Sequence, residues 1–369
     1  GINQLPGGCL LLVDSDGRGR VERFWEADFE VRVRYPNEQD YAEHFREVFL
    51  TAVRDRLRAR GPIGIQLSGG MDSGSTASAV GHLGGGDASS VRTYSYAFDE
   101  LTDSDERSVS DRIVAAYGFT GVSVGADELW PLAGFPDHGP VRDDPFVLVY
   151  TAANDEVRRR ARDDGVRLVF VPERGDEVMG TQWVVDYMRL LDRRRWDLLR
   201  SELGWHRRYT EDWLAGAVAR HVLRPLGSRA KRYLRSGGHQ GDTLRFSSWI
   251  RPDFADRADL RETIADRQRN ANLNPGAGST RHRVVFSLSG QRWATDLERR
   301  HARAGLSYTD PFADRRVVEY VLSIPQVVVN RPGEDSKRLL RAAMAGIMPD
   351  GALRRAQKLI PASLFSRGI

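Results

Sequence analysis

The segment 63–76, with the sequence IGIQLSGGMDSGST, constrains the fold of this chain more than any other. A short apolar run, typical of a buried strand, ends abruptly, and an alanine-rich stretch of helical character begins a few residues later. Between the two, Gly69 and Gly70 carry no Cβ, so the backbone can approach a bound anion closely. The segment therefore predicts a strand, a phosphate-sized loop and a helix N-terminus in succession.

The polar side chains of this loop indicate what it would bind. The hydroxyls of Ser68 and Ser73, together with the N–H groups at the helix start, are suited to phosphate oxygens. Asp72 would repel phosphate unless a cation lay between them, so its carboxylate predicts Mg²⁺ bridging Asp72 and a polyphosphate. The loop lacks the lysine of a Walker loop. The pattern SGGxDS instead resembles the pyrophosphate loop of enzymes that split ATP between its α and β phosphates. The alternative is a glycine-rich turn that binds nothing.

Composition limits the classes of protein to consider. The 369 residues, 40% of them apolar, suffice for one large α/β domain or two ordinary ones. The net charge of +4 is too small to indicate nucleic-acid binding. The single cysteine, Cys9, excludes an internal disulfide and a cysteine-rich zinc site, and it fits a reducing cytoplasm. The sequence has neither an apolar run of about 18 residues nor the pattern of a signal peptide. We therefore expect a cytoplasmic protein without a membrane partner.

Strands and helices are predicted to alternate along the first half of the chain. Apolar runs predict strands at 63–67, 91–98, 120–124 and 166–171, and helical spacing predicts helices between them at 74–83, 105–117 and 146–162. This alternation indicates an α/β fold, a parallel sheet with helices on both faces. A short β element is predicted over residues 1–35, and a mostly helical region over 186–330. Ligands of such sheets bind beyond the carboxyl ends of the strands, where the 68–73 loop lies.

A second group of charged residues follows the last predicted strand. Glu173, Asp176 and Glu177 lie within five residues of one another, just after the apolar run that ends at Val171. Carboxylates this close would repel one another unless they faced water or met a cation. If the two strands are near neighbours, Asp176 and Asp72 would share Mg²⁺, with phosphate and water as the remaining ligands. The alternative is an acidic surface turn.

From residue 1 to about residue 360, the chain resembles the synthetase domain of the asparagine synthetase family. The SGGMDS loop matches the pyrophosphate loop of that family. Four further segments resemble family segments in the same order: 173–177 (ERGDE), 308–316 (YTDPFADRR), 337–344 (KRLLRAAM) and 354–358 (RRAQK). The resemblance implies an adenine nucleotide α-hydrolase-like fold. It also implies an ATP-dependent amide ligase that adenylates a carboxylate, releases pyrophosphate and passes the acyl group to an amine or ammonia, as in the conversion of aspartate to asparagine.

The resemblance implies a role for each matched position. Glu173 takes the place of the family's catalytic glutamate, which is proposed to deprotonate the attacking amine. Lys358 would stabilise charge on the departing pyrophosphate or at the acyl-phosphate centre. Asp72 and Asp176 would bind Mg²⁺. The residues expected to hold ATP are Gln66, Ser68, Gly69, Gly70, Asp72 and Ser73.

Departures from the family pattern lead to further expectations. Residue 1 is glycine, and Cys9 lies in the sequence LPGGC, which resembles the linker that follows a glutaminase domain in full-length family members. We therefore expect residues 1–35 to be a β linker or remnant of such a domain, and residues 36–369 to form the ATP-dependent synthetase domain. A separate glutaminase domain would then be a partner. Arg174 replaces a small residue and is expected to reshape the acceptor pocket.

Several functional alternatives remain open. Macrolactam cyclases of lasso-peptide pathways belong to the same family, and the arginine-rich second half and Arg174 are similar to that branch. Their substrate would be a precursor peptide rather than a small carboxylate with a separate amine. β-Lactam synthetases fit less well, because they carry tyrosine at the position of Glu173. Two alternatives belong to other functional classes. One is a tRNA-modifying enzyme with the same loop, and the other is a non-catalytic nucleotide-binding protein.

Overall fold

The computed structural model of the protein divides the chain into two compact units. The positions described are 5–84, 88–130, 150–179, 250–262, 292–330 and 336–355, except 6, 29, 30 and 261, together with isolated residues elsewhere. The first unit comprises residues 1–181, 287–324 and 328–369, and the second comprises residues 182–286 and 325–327. Every described residue of the candidate site belongs to the first unit.

Two sheets occur in the first unit. Near the N-terminus, β1 (Cys9–Val13) and β2 (Gly19–Arg23) pair as an antiparallel hairpin. The larger sheet has five parallel strands in the order β5–β4–β3–β6–β7. These strands are β3 (Ile63–Gln66), β4 (Val91–Ala97), β5 (Thr120–Gly125), β6 (Leu168–Phe170) and β7 (Ser307–Thr309).

The path of the chain across the sheet reverses beside β3. From β3 the chain moves outward through β4 to β5, returns to the other side of β3 as β6, and continues to β7. As a result β3 and β6 are direct neighbours, with Ile63 opposite Leu168 and Ile65 opposite Phe170. Open α/β sheets bind ligands at such a reversal, in the crevice beyond the carboxyl ends of the two strands.

Helices pack against the sheet and against one another because their apolar residues recur at helical spacing. In α1, for example, Tyr41, Phe45 and Phe49 are four residues apart and fully buried. Val157 of α4 and Leu297 of α7 pack into one core cluster with Val169 of the sheet. The helices of the first half are α1 (Glu38–Arg56), α2 (Met71–His82), α3 (Arg107–Tyr117), α4 (Thr151–Asp163) and α5 (Gly175–Met179). Those of the second half are α6 (Pro252–Arg257), α7 (Arg292–Arg303), α8 (Arg315–Ser323), α9 (Gln326–Val329), α10 (Arg338–Met344) and α11 (Asp350–Leu353).

The structure confirms the predicted α/β class, the parallel sheet and the N-terminal β element. Helix α2 begins at Met71 rather than at residue 74, so Asp72 and Ser73 belong to its first turn. Strand β7 was not predicted, because three residues are too few to show an alternating pattern. Most of the predicted helical region 186–330 lies outside the described residues, and the boundary at residue 35 stays a prediction. None of the described helices has the length and apolar character needed to cross a bilayer.

Candidate active site

The loop after β3 is closed by its own hydroxyl groups. The backbone N–H of Ser68 donates to the Oγ of Ser73 at 3.1 Å, and the two serine hydroxyls lie 3.0 Å apart. The N–H of Gly70 donates to the Ser68 Oγ at 3.2 Å. Helix α2 starts immediately afterwards, and Gly70 has no side chain with which to cap it. The loop therefore presents serine hydroxyls and the positive end of a helix dipole at the carboxyl end of β3.

A cavity of about 550 Å³ opens beyond the carboxyl ends of β3, β4 and β6. Most of the side chains that the sequence singled out line it, together with Tyr96, Tyr150 and Asn154, which it did not. The predicted site residues in the lining are Gln66, Ser68, Gly70, Asp72, Ser73, Glu173 and Asp176. The loop after β3 and the segment after β6 thus open onto one space.

One wall of the cavity is a closed hydrogen-bond network. The amide nitrogen of Gln66 donates to Tyr96 Oη at 3.0 Å and to Asn154 Oδ1 at 2.8 Å, and the Tyr96 hydroxyl donates to the same Asn154 oxygen at 2.5 Å. Burial raises the pKa of Tyr96 above its ordinary value, and the nearby charge of Glu173 adds to the shift. Tyr96 therefore stays protonated at neutral pH and can donate a hydrogen bond but cannot act as a base.

The segment after β6 is held in place by Asp310, which directly follows β7. The backbone N–H of Arg174 donates to one carboxylate oxygen of Asp310 at 2.8 Å, and that of Phe312 donates to the other at 2.9 Å. Burial raises the pKa of Asp310 to about 7, against the lowering effect of these two N–H groups. Glu173, the residue before Arg174, is exposed at the cavity. Asp310 thus fixes the backbone from which Glu173 projects.

Lys337 joins the two segments, and the sequence analysis gave it no role of its own. Its ammonium group contacts Oδ1 of Asp176 at 2.5 Å and also contacts Oδ2 of Asp72. The lysine lies in the left-handed backbone region at φ 61°, and its N–H donates to Asn330 Oδ1 at 2.6 Å. Asn330 in turn donates to the carbonyl of Met179, at the end of α5, at 2.7 Å. The amine is therefore held firmly between the two carboxylates.

The two carboxylates approach closely because Gly175, the residue before Asp176, has no side chain to collide with Asp72. A Cβ on this residue would stand 2.1 Å from the Asp72 carboxyl carbon, so only glycine allows the contact. Both carboxylates reach one ammonium group, so they are within reach of a single cation. Among the described residues no three His, Cys, Asp or Glu side chains converge as metal ligands. Two carboxylates completed by phosphate oxygens and water fit Mg²⁺, which is commonly bound in this way.

The structure brings together all but one of the predicted site residues. Asp72 and Asp176 meet at Lys337, and Glu173 faces the same cavity. Gly69 lies in the loop and donates its N–H to Glu106 at 3.0 Å. Lys358 lies outside the described residues. No role was assigned from the sequence to Lys337, Asp310 or Glu106, although all three lie within segments that resemble the family.

Several known proteins share sequence with this chain. The family model described as asparagine synthase matches residues 44–366. The glutamine-hydrolysing asparagine synthetase 3 of Bacillus subtilis is 24% identical over 98% of this chain, and the chain covers 54% of its length. Two fungal proteins named amidases, chry2 of Gibberella zeae and chyE of Penicillium rubens, are 27% and 24% identical over 49% and 48% of this chain. The chain covers 29% and 28% of their lengths.

A solved structure shares a weaker likeness. The U34-tRNA thiolase NcsA of Methanococcus maripaludis matches 65% of this chain and 76% of its own at 9% identity, with a TM-score of 0.26. At this level of overlap the likeness carries no argument about the site.

Proposed function

Because the chain belongs to the asparagine synthase family, we propose that it is an ATP-dependent ligase that joins a carboxylate to an amine. The carboxylate would be adenylated with release of pyrophosphate, and an amine or ammonia would then displace AMP, as when aspartate becomes asparagine. One observation carries the proposal. Asp72 and Asp176, on segments that follow adjacent strands, contact the single ammonium group of Lys337 in a cavity that Glu173 also lines.

The first half-reaction requires a polyphosphate to be held and its charge balanced. The hydroxyls of Ser68 and Ser73 and the N-terminus of α2 would bind phosphate oxygens. Mg²⁺ held by Asp72 and Asp176 would neutralise negative charge on the pyrophosphate. Lys337 keeps the two carboxylates together and adds a positive charge beside them.

The second half-reaction requires a base for the amine. Glu173 is exposed at the cavity on a backbone that Asp310 holds, and we assign it the proton that the amine loses on attacking the acyl carbon. Tyr96, kept protonated by burial, donates its one O–H to Asn154 and so supports the cavity wall rather than acting as the base. Lys358, assigned from the family resemblance, would stabilise charge on the departing pyrophosphate.

The substrates proposed are a small carboxylate and a separate amine, with a glutaminase domain as one source of ammonia. A precursor peptide that supplies its own amine, as for a macrolactam cyclase, would use the same residues. Arg174 favours that branch only through its resemblance in sequence, and this stays a prediction. It is buried, it pairs with Glu177 at 3.1 Å, and it is not among the residues that line the described cavity.

Exchange of labelled pyrophosphate into ATP, measured over a panel of carboxylic acids that begins with aspartate, tests the proposal. Wild-type protein should catalyse exchange only with its own acid. Asp176→Asn should abolish exchange, whereas Glu173→Gln should still form acyl-AMP and lose amide formation by about 10²–10⁴-fold, the usual contribution of a general base. A cyclic product from a peptide substrate would identify the cyclase alternative.

Asp103→Asn is the matched control, because Asp103 is an exposed carboxylate on the turn Thr102–Ser104. It should leave both half-reactions unchanged. Exchange that persists within a few fold in Asp176→Asn, or exchange that needs no acid, would contradict the proposal.

A further inference from the structure

Glu106 contacts the loop that follows β3. It lies immediately before α3, and its Oε2 accepts the backbone N–H of Gly69 at 3.0 Å. Its other oxygen, Oε1, lies 3.0 Å from Nη2 of Arg355. The Gly69 amide, one of the loop groups to which a phosphate would bind, is therefore occupied by a carboxylate that is itself paired with a guanidinium group.

Arg355 lies directly against the loop. A Cβ added to Gly69 would stand 1.8 Å from Nη1 of Arg355, so the guanidinium group fills the space that the missing side chain leaves. Nη1 is buried and has no hydrogen-bond partner in the described part of the chain. A buried donor of this kind is costly unless water or a ligand satisfies it. Its place beside a phosphate-binding loop indicates an anion as that ligand.

The backbone of Arg355 is fixed independently of its side chain. Arg341, in α10, donates from Nη2 to the carbonyl of Arg355 at 2.7 Å and from Nη1 to the carbonyl of Leu353. The guanidinium group that lies against Gly69 therefore extends from a backbone segment that Arg341 holds in place. Such anchoring lowers the entropy lost when the group binds a ligand.

We propose that Glu106 and Arg355 form a clasp that a polyphosphate opens. The β or γ phosphate of ATP would displace the Glu106 carboxylate from the Gly69 amide, and Arg355 would turn its guanidinium donors to the phosphate. A carboxylate and a phosphate compete for the same N–H and guanidinium donors, so one replaces the other without new groups having to be recruited. Arg355 is then a binding residue for the polyphosphate, and Glu106 is its competitor.

The inference rests on the proposed function, because it takes ATP as the ligand of this loop. It predicts opposite effects for the two partners. Arg355→Ala removes a charge-assisted contact and should weaken ATP binding about tenfold or more. Glu106→Gln removes the competing negative charge and should tighten it. AMP lacks the β and γ phosphates, so its binding should change in neither variant.

Calorimetric titration of the full chain with ATP and with AMP, both with Mg²⁺, is the test. Arg354→Ala, at the neighbouring exposed residue, is the control for Arg355→Ala, and Asp103→Asn is the control for Glu106→Gln. Both controls should bind ATP as the wild type does. Arg355→Lys keeps the positive charge and loses the paired guanidinium donors, so it should bind ATP with intermediate affinity. Thermal unfolding of each variant shows whether it is folded.

The outcomes separate the clasp from the proposed function. If wild-type protein binds no ATP, the proposed function fails and the clasp with it. If the wild type binds ATP and folded Arg355→Ala binds it equally well, only the clasp fails. If Arg355→Ala weakens the binding of ATP and of AMP equally, the clasp is also overturned. That result would show that the contact of Arg355 does not depend on the β or γ phosphate. Weaker ATP binding by Glu106→Gln would show that Glu106 supports the ligand rather than competing with it.

Discussion

The segments that follow β3 and β6 meet in one cavity but are held in different ways. The first closes mainly on itself, through bonds between Ser68, Gly70 and Ser73 that span at most five residues, and Glu106 adds one bond from 37 positions away. The second depends on partners far along the chain. Asp310 holds it from 136 positions away, and Lys337 links Asp176 to Asp72. A locally closed loop keeps its shape when the surroundings change, whereas the second segment is correct only when the whole sheet is assembled.

Loss of Lys337 should have the largest effect, because it removes the link between the two segments. Lys337→Met takes a cation away from the buried carboxylate of Asp72. Breaking a buried ion pair in this way costs about 3–5 kcal/mol of unfolding free energy. Mg²⁺ should restore part of that loss if the two carboxylates take a metal ion, and a chelator should reverse the gain. Thermal unfolding with and without Mg²⁺ measures both effects.

Arg354→Met is the control for this variant, because it removes an exposed positive charge from the same part of the chain. Mg²⁺ should change the unfolding temperature of this control by no more than it changes that of the wild type. If Lys337→Met is as stable as wild type, or if Mg²⁺ affects both variants equally, the two segments are not joined through this site.

Asp310 should give the next largest effect, seen as a dependence of stability on pH. Its folded pKa of about 7 lies above its ordinary value. The folded protein therefore binds the proton more tightly than the unfolded chain does. The stabilisation of the folded state by this proton is fully present below the ordinary pKa of an aspartate and is lost as pH rises through about 7. Denaturant unfolding from pH 4 to pH 8 should show this decline in wild type and not in Asp310→Asn.

Asp314, four residues later, provides the control with the opposite sign. Burial alone would raise its pKa, but hydrogen bonds from Arg316 and Arg56 hold the pKa well below the ordinary value. Its contribution is present above the ordinary pKa of an aspartate and is lost as pH falls further. Asp314→Asn should therefore lower stability at neutral pH, differ less from wild type as the pH falls below the ordinary pKa of an aspartate, and leave the decline toward pH 7 intact. The same slope in both variants would rule out Asp310 as its source.

The locally closed loop should show the smallest effect. Ser73→Ala removes one hydroxyl from the closure and should cost about 0.5–1.5 kcal/mol, the net value of a typical hydrogen bond. ATP affinity should fall modestly, since one phosphate contact is lost as well. Denaturant unfolding and calorimetry measure the two quantities. A loss as large as that of Lys337→Met would show that the first segment depends on its hydroxyls as strongly as the second depends on its distant partners.

The same contrast explains what the sequence could predict. The loop after β3 is formed by neighbouring residues, so its shape follows from SGGMDS, and its ligand chemistry stays a prediction. The sequence predicted a Mg²⁺ ion shared by Asp72 and Asp176 only if β3 and β6 were near neighbours, and the sheet order shows that they are. Asp310 and Lys337 received no role from the sequence because their partners, Arg174 and Asp72, are 136 and 265 positions away. No local sequence pattern indicates such a pairing. The roles of all these residues stay predictions until the variants are measured.

Gly175 sets a limit on how this site can be redesigned. Its φ is not among the positive values of the described glycines, so its small size rather than its backbone freedom is what the structure uses. A Cβ there would collide with the Asp72 carboxyl group. Libraries that vary the segment around Glu173 to admit other amines should therefore keep position 175 constant. Any side chain introduced there would move a residue of the other loop, and a change intended for the acceptor would act on the nucleotide instead.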